Sequence, residues 1–289
     1  RPSNDGAAQA LSGYAWISSF PGRPPLKQSI WIADYYGGLM GEVAVLAALH
    51  HRKKTGRGQF IEMSQTENLM RAMSWVWPFQ QATQKGVEPS GNRDQCICPA
   101  DTFLCKDNRM AAIAAPAPDE FKGLCAAMGK PELAGDPRFR EHTDRLKTEN
   151  ALAILKIVAD WARSKTADEV EAAGVKHGFA ATRLHNAVDQ NTDPHRRARG
   201  FVKEIDDPLY GRYVEHEFPV MMSRTPPRIK WTVRPVGFDN DYVMTKILGR
   251  SQRQIDELYG HGVLGKWKDQ QGRRPPPGWD GKEGMIIRR

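Results

Sequence analysis

At 289 residues, 40% hydrophobic and 26% charged, the chain has the composition of a soluble globular protein, with material for a core in one large or two smaller domains. A net charge of +8 admits polyanionic partners, but Lys and Arg are spread along the chain without a zinc-finger, helix-turn-helix or RNP pattern, which sets nucleic acid aside. Four cysteines without CxxC pairs fit neither a zinc site nor a stapled fold and point to a reducing cytoplasm, and no stretch reads as a secretion leader or a membrane span.

Asp5 to Gly13 reads as a short helix or turn, followed by the loop Pro21-Gly22-Arg23-Pro24-Pro25. Leu39, Val43, Leu46, Ala47 and Leu49 then recur at helical spacing and predict a helix over 35–53, with Val43 to Leu49 buried. Thr55 to Gln59 predicts a turn, Phe60 to Met63 a strand, and Ser64 to Trp77 a helix ended by Pro78, the αβα order of an open parallel sheet. Met63, Met70, Met73, Trp75 and Trp77 read as core.

From about Gln80 the composition becomes polar, and 102–105 and 110–114 predict a β-hairpin turning at Asp107-Asn108. Helices are expected over 119–128, 144–164 and 167–173, the last capped by Thr166 with Glu169 in a capping box. Short strands return after about Asp206, then helices over 242–248 and 252–259, then an extended Pro/Arg-rich tail after Gly272. The division expected is 1–79 and 206–289 in a large domain, with 80–205 a small α+β domain.

The chemistry concentrates between Ile30 and Gln59, where Asp34 is the single acid before Glu42. An Asp just ahead of a helical pattern can serve as an N-cap, or can hold a nucleophilic carboxylate at the positive end of the helix dipole. Gly37 and Gly38 fit either close packing or backbone donors to an oxyanion. Lys53, Lys54 and Arg57 form a basic turn that suits phosphates or solvent.

Several motifs occur in order: Asp5-x-x-x-Gln9-Ala10-x-Ser12-Gly13, Ala33-Asp34 with Gly37-Gly38, Leu46-Ala47-Ala48-Leu49, and Thr55-Gly56-Arg57-Gly58-Gln59. Gly91-Asn92, Asp136-Pro137-Arg138-Phe139, Asp193-Pro194-His195 with Arg199-Gly200, and Ser223-x-x-Pro226 come after them. Through these the chain resembles the class III CoA-transferases, also called CaiB/BaiF, over nearly its whole length to about Leu264, beginning partway into the family's usual sequence.

The resemblance implies an α/β fold: a Rossmann-like large domain, incomplete in this chain, with a smaller α+β domain, in a dimer of interlocked chains. It implies Asp34 as a nucleophile on an acyl-CoA thioester, giving an aspartyl anhydride and then an aspartyl-CoA thioester. Asp5, Gln9, Gly37, Gly38 and Arg57 are the implied substrate or CoA contacts, with capping or core hydrogen bonding open for Asp5 and Gln9. No metal and no resident cofactor is implied, coenzyme A entering as substrate. The expected partners are an acyl-CoA, a carboxylic acid, and a second copy or a chain supplying the front segment, with no membrane. A related α-methylacyl-CoA racemase would carry a His where this chain has Asn4, which places that reading, and that of a non-catalytic subunit, behind transferase.

Overall fold

Asn4 starts the first helix by accepting the Ala7 N–H on its side-chain Oδ1 at 3.0 Å, and α1 (Asp5–Leu11) runs on from there. The computed structural model describes residues 3–207, 209–229 and 233–266, and the chain divides into two compact units, Arg1–Leu184 and His185–Arg289. That boundary falls inside the 80–205 block drawn from the sequence. The tail after Gly272 lies outside the described residues.

Beyond the short α2 (Tyr14–Ile17), α3 spans Ile32–Thr55 and so begins three residues before the apolar periodicity does. Gly56, at φ +74, closes it with a bond from its N–H to the Arg52 carbonyl, while Arg52, Lys53 and Lys54 complement the negative end of the dipole. Residues 43–49 do not form the buried segment expected. Val43, Leu46 and Leu49 are 61%, 58% and 44% exposed, because the described residues cover only the side of α3 that carries Ala33 and Gly37. By length and composition α3 would also suit a membrane crossing, with a mean hydropathy of 1.3 over its most apolar window, of which 11% is buried. The sequence reading missed this because Gly and Ala fill out the average between the larger apolar residues.

Residues 56–64 form no strand. A strand exists through its ladder, and among the described residues Phe60–Met63 enters none, so the expected parallel sheet is absent there. The helix expected over 64–77 is two: α4 (Gln65–Ala72) and α5 (Val76–Thr83). Pro78 does not end a helix but sits in the first turn of α5, where its missing N–H would have had no intrahelical partner. Of the expected Met and Trp core, Met73 is buried, whereas Met63, Trp75 and Trp77 are exposed.

The remainder of the first unit is built on an antiparallel sheet in the order β1 (Ala100–Leu104), β2 (Met110–Ala114), β3 (Ala180–Arg183). The β1–β2 hairpin turns as expected, with Asn108 at φ +61. β3 escaped the sequence reading, since four residues carry too short a pattern. α8 (Thr148–Arg163) and α9 (Ala167–His177) lie against the sheet, with α6 (Pro118–Ala127) packed on α9 and α7 (His142–Arg145) next to α8, the expected 144–164 helix being split at Leu146-Lys147. The Thr166–Glu169 capping box is present. Phe103, Ile113, Phe121, Leu124, Ile154, Val158 and Val170 form one apolar core. A Cβ on Gly123 would stand 2.0 Å from the His177 carbonyl oxygen, so only glycine permits this approach of α6 to the end of α9.

Within that core Arg145 is fully buried. Its guanidinium donates to the carbonyls of Cys98 (2.8 Å), Phe139 (2.6 Å), Arg140 (3.3 Å) and Pro116 (2.6 Å), and lies 4.3 Å over the Phe121 ring. Four loop carbonyls thus find their donor in one planar fork, which an ammonium cannot replace. Burial lowers the Arg145 pKa and pushes the Cys98 and Cys125 thiols up to about 11.

The second unit contains α10 (Ala187–Thr192), α11 (Pro194–Ala198) and the antiparallel pair β4 (Val202–Asp207) and β5 (Gly211–His216). α12 (Asn240–Tyr242) runs into a π-helical turn, and α13 (Gln252–Gly260) comes next, behind its Ser251 cap.

Arg145→Lys is expected to lower the unfolding free energy by about 2–4 kcal/mol, through carbonyls left without donors, as read by urea denaturation. Thiol titration at pH 8 should modify Cys96, the exposed cysteine, in the native protein, and all four cysteines only after denaturation.

Candidate active site

The start of α3 has no cap of its own. Its N-cap residue is Trp31, whose side chain accepts nothing, yet the Ala33 N–H in the first turn is buried and must be satisfied. Asp5 does this from α1: its Oδ1 accepts the Ala33 N–H at 2.8 Å across 28 residues of sequence. Its Oδ2 accepts from Gln9 Nε2 at 2.6 Å, and Gln9 Oε1 in turn accepts the Gln28 N–H at 2.9 Å. Asp5 and Gln9 are 4% and 0% exposed. The buried carboxylate thus has a donor on each oxygen and stands at the N-terminal end of α3.

Asp34 is the third residue of α3, inside its first turn, and does not act as the N-cap. It is exposed, and among the described residues its carboxylate is free of backbone capping bonds and one side chain reaches it: Gln65 Nε2 donates to Oδ1 at 2.6 Å. Gln65 opens α4, which Ser64 caps by accepting the Glu67 N–H at 3.4 Å. Leu69, four residues after Gln65, is buried with Ala8 and Ala33 in a small core that joins α1, α3 and α4 behind the carboxylate.

Gly37 is buried one turn after Asp34, and Gly38 is exposed with open space around it. Both lie past the first turn, so their N–H groups belong to the i→i−4 ladder and are not free to meet an oxyanion. A Cβ on Gly37 would stand 3.8 Å from Asn68 Nδ2, a buried amide nitrogen without a hydrogen-bond partner among the described residues. Arg57 lies past the far end of α3, whose last residue, Thr55, is about 31 Å from Asp34 along the helix axis, and the structure does not bring the two together.

Gln65 and Asn68 are the polar groups that sequence reasoning passed over. Their spacing of three residues puts them on one face of α4, and the Ser64 cap marks the helix start, but nothing local shows which face meets Asp34. Elsewhere, a cavity of about 490 Å³ in the second unit is lined by Arg199, Phe201, Phe218, Met221, Met222 and Pro226 among others. In its lining Lys203 Nζ contacts Glu217 at 2.6 Å and lowers that carboxyl's pKa.

Comparison with known proteins bears on this geometry. The pattern of CoA-transferase family III matches residues 1–240. The chain is 30% identical over 256 residues to a succinyl-CoA–D-citramalate CoA-transferase of Chloroflexus aurantiacus, covering 89% of this chain and 63% of that protein. It is 32% identical over 267 residues to the beta subunit of a succinyl-CoA–L-malate CoA-transferase of the same organism, covering 91% and 65%. The chain therefore spans just under two thirds of the length of these relatives. Among solved structures, a CAIB/BAIF family protein from Brucella suis superposes with a TM-score of 0.66 at 26% identity, covering 81% of this chain and 60% of that one. The mixed helix-and-sheet fold is accordingly that of the CaiB/BaiF proteins.

Asp5→Ala should cost about 2 kcal/mol of stability by orphaning the Ala33 N–H and the Gln9 amide, while Asp34→Ala changes stability by less than about 0.5 kcal/mol. Thermal and urea unfolding of the two variants separate the scaffold carboxylate from the exposed one.

Proposed function

The chain belongs to CoA-transferase family III, and from that premise we propose that it moves CoA from an acyl-CoA to a carboxylic acid with Asp34 as the covalent nucleophile. The observation that carries this reading is the contrast between two carboxylates on adjoining helices. Asp5 is buried with both oxygens engaged, whereas Asp34 is exposed with, among the described residues, one oxygen bonded and the other open.

A carboxylate oxygen of Asp34 attacks the thioester carbonyl carbon, the C–S bond breaks, and CoA leaves as thiolate, giving a mixed acyl–aspartyl anhydride. The thiolate then attacks the aspartyl carbonyl, expels the first acid and leaves an aspartyl-CoA thioester. The incoming carboxylate repeats the two exchanges in reverse order. The names of the two Chloroflexus relatives make succinyl-CoA the first donor to test. One of those relatives is named as a subunit, and we extend the proposal to a working unit of two chains, either two copies or this chain with another.

A racemase would need a second base opposite Asp34. Asn4, at the position where those relatives carry His, has no basic group, and its side chain accepts the Ala7 N–H as the cap of α1.

Incubation with succinyl-CoA followed by intact-mass analysis and peptide mapping is expected to find a covalent adduct on the peptide containing Asp34. Asp34→Ala should abolish the adduct and lower turnover by about a thousandfold or more. Full turnover in Asp34→Ala would sink the assignment.

A further inference from the structure

The Asp34 carboxylate is not symmetric. Gln65 Nε2 donates to Oδ1 at 2.6 Å, and no other hydrogen bond reaches either oxygen among the described residues. The amide is fixed from behind, because Gln65 stands next to the Ser64 cap at the start of α4 and Leu69 anchors that helix against Ala33, the residue before Asp34. With Asp34 as the nucleophile, the reading on which the role of Gln65 rests, this asymmetry separates the chemistry of the two oxygens.

A hydrogen bond draws electron density from the oxygen that accepts it, so the unbonded Oδ2 is the better nucleophile. When Oδ2 attacks the thioester carbonyl carbon and the C–S electron pair leaves on sulfur, Oδ2 becomes the bridging oxygen of the anhydride. Oδ1 then becomes the aspartyl carbonyl oxygen and still faces Gln65 Nε2. The thiolate next attacks Cγ, the C=O electron pair moves onto Oδ1, and negative charge develops on the atom to which the amide already donates. Collapse re-forms that C=O bond and expels the first acid through Oδ2, leaving the aspartyl-CoA thioester. Attack of the incoming carboxylate on that thioester places charge on Oδ1 once more.

We infer that Gln65 is a catalytic residue, the oxyanion donor for every attack on the Asp34 carbonyl. Gly37 and Gly38, the sequence's candidates for this task, have their N–H groups in the helix ladder. A donor about 2.7–3.1 Å from the developing oxyanion is what such stabilisation requires, and it acts on the charged intermediate more than on the resting carboxylate.

The test tracks the full chain with succinyl-CoA in a quenched time course by intact mass, since a succinyl adduct and a CoA adduct on Asp34 differ in mass. Wild type is expected to pass quickly to the CoA adduct. Gln65→Met, of similar length but without a donor, should form the succinyl adduct at a rate within about threefold of wild type and convert it to the CoA adduct about a hundredfold more slowly. Gln65→Ala should do the same, and unchanged thermal midpoints would show that both variants are folded. Unaltered conversion in both folded variants would overturn the role of Gln65 and leave the Asp34 mechanism standing. A wild type without either adduct, or labelling that survives Asp34→Ala, would overturn the nucleophile and the role of Gln65 with it.

Discussion

Asp5 Oδ1 accepts the Ala33 N–H at 2.8 Å, and this bond determines where α3 begins. Helix nucleation is costly, and the first-turn N–H groups need acceptors that Trp31 does not supply. With the cap provided from α1, the helix starts early enough to take Asp34 into its first turn. Were Asp34 itself the cap, its carboxylate would be turned back onto the backbone and withdrawn from the role proposed for it. Gln9 extends the constraint by tying Asp5 to the Gln28 N–H, so the loop leading into α3 is fixed by the same pair.

The result is a division of labour among polar groups. Asp5 and Gln9 here and Arg145 in the core over the three-stranded sheet are buried with several partners each and serve to hold backbone segments that no ladder holds. Among the described residues Asp34 is left exposed and partly unsatisfied, which suits the nucleophilic role proposed for it. Gln65 stands between the two cases: a half-buried amide aimed at the Asp34 carboxylate by a helix that buries Leu69 against α1 and α3.

The parts of the fold legible in the sequence were those governed by local rules. The Asp107-Asn108 turn, the Thr166–Glu169 capping box and the 3.6-residue period of α3 each arise within a few residues and appear where expected. Failures came where a local pattern needed a distant partner. Phe60–Met63 has strand character but no ladder, and Pro78 reads as a helix stop unless one knows that a new helix has just begun. The apolar stripe Val43–Leu49 shows that a face is fit for burial, and periodicity cannot say what covers it.

For the site the same distinction holds. The family and the candidate carboxylate could be read from the chain alone, because motif order is a property of the chain, whereas Asp5 and Gln9 stayed open between substrate contact and capping or core hydrogen bonding. Folding in three dimensions was needed to establish that Asp5 caps α3, that Asp34 lies within the helix and not before it, that Gly37 and Gly38 have their N–H groups in the ladder, and that Gln65 meets Asp34. Each of these is a contact between residues 28 or more apart, or comes directly from one. A hydrogen bond of that span is specified by the packing of α1, α3 and α4 around Ala8, Ala33 and Leu69, which no window of sequence contains.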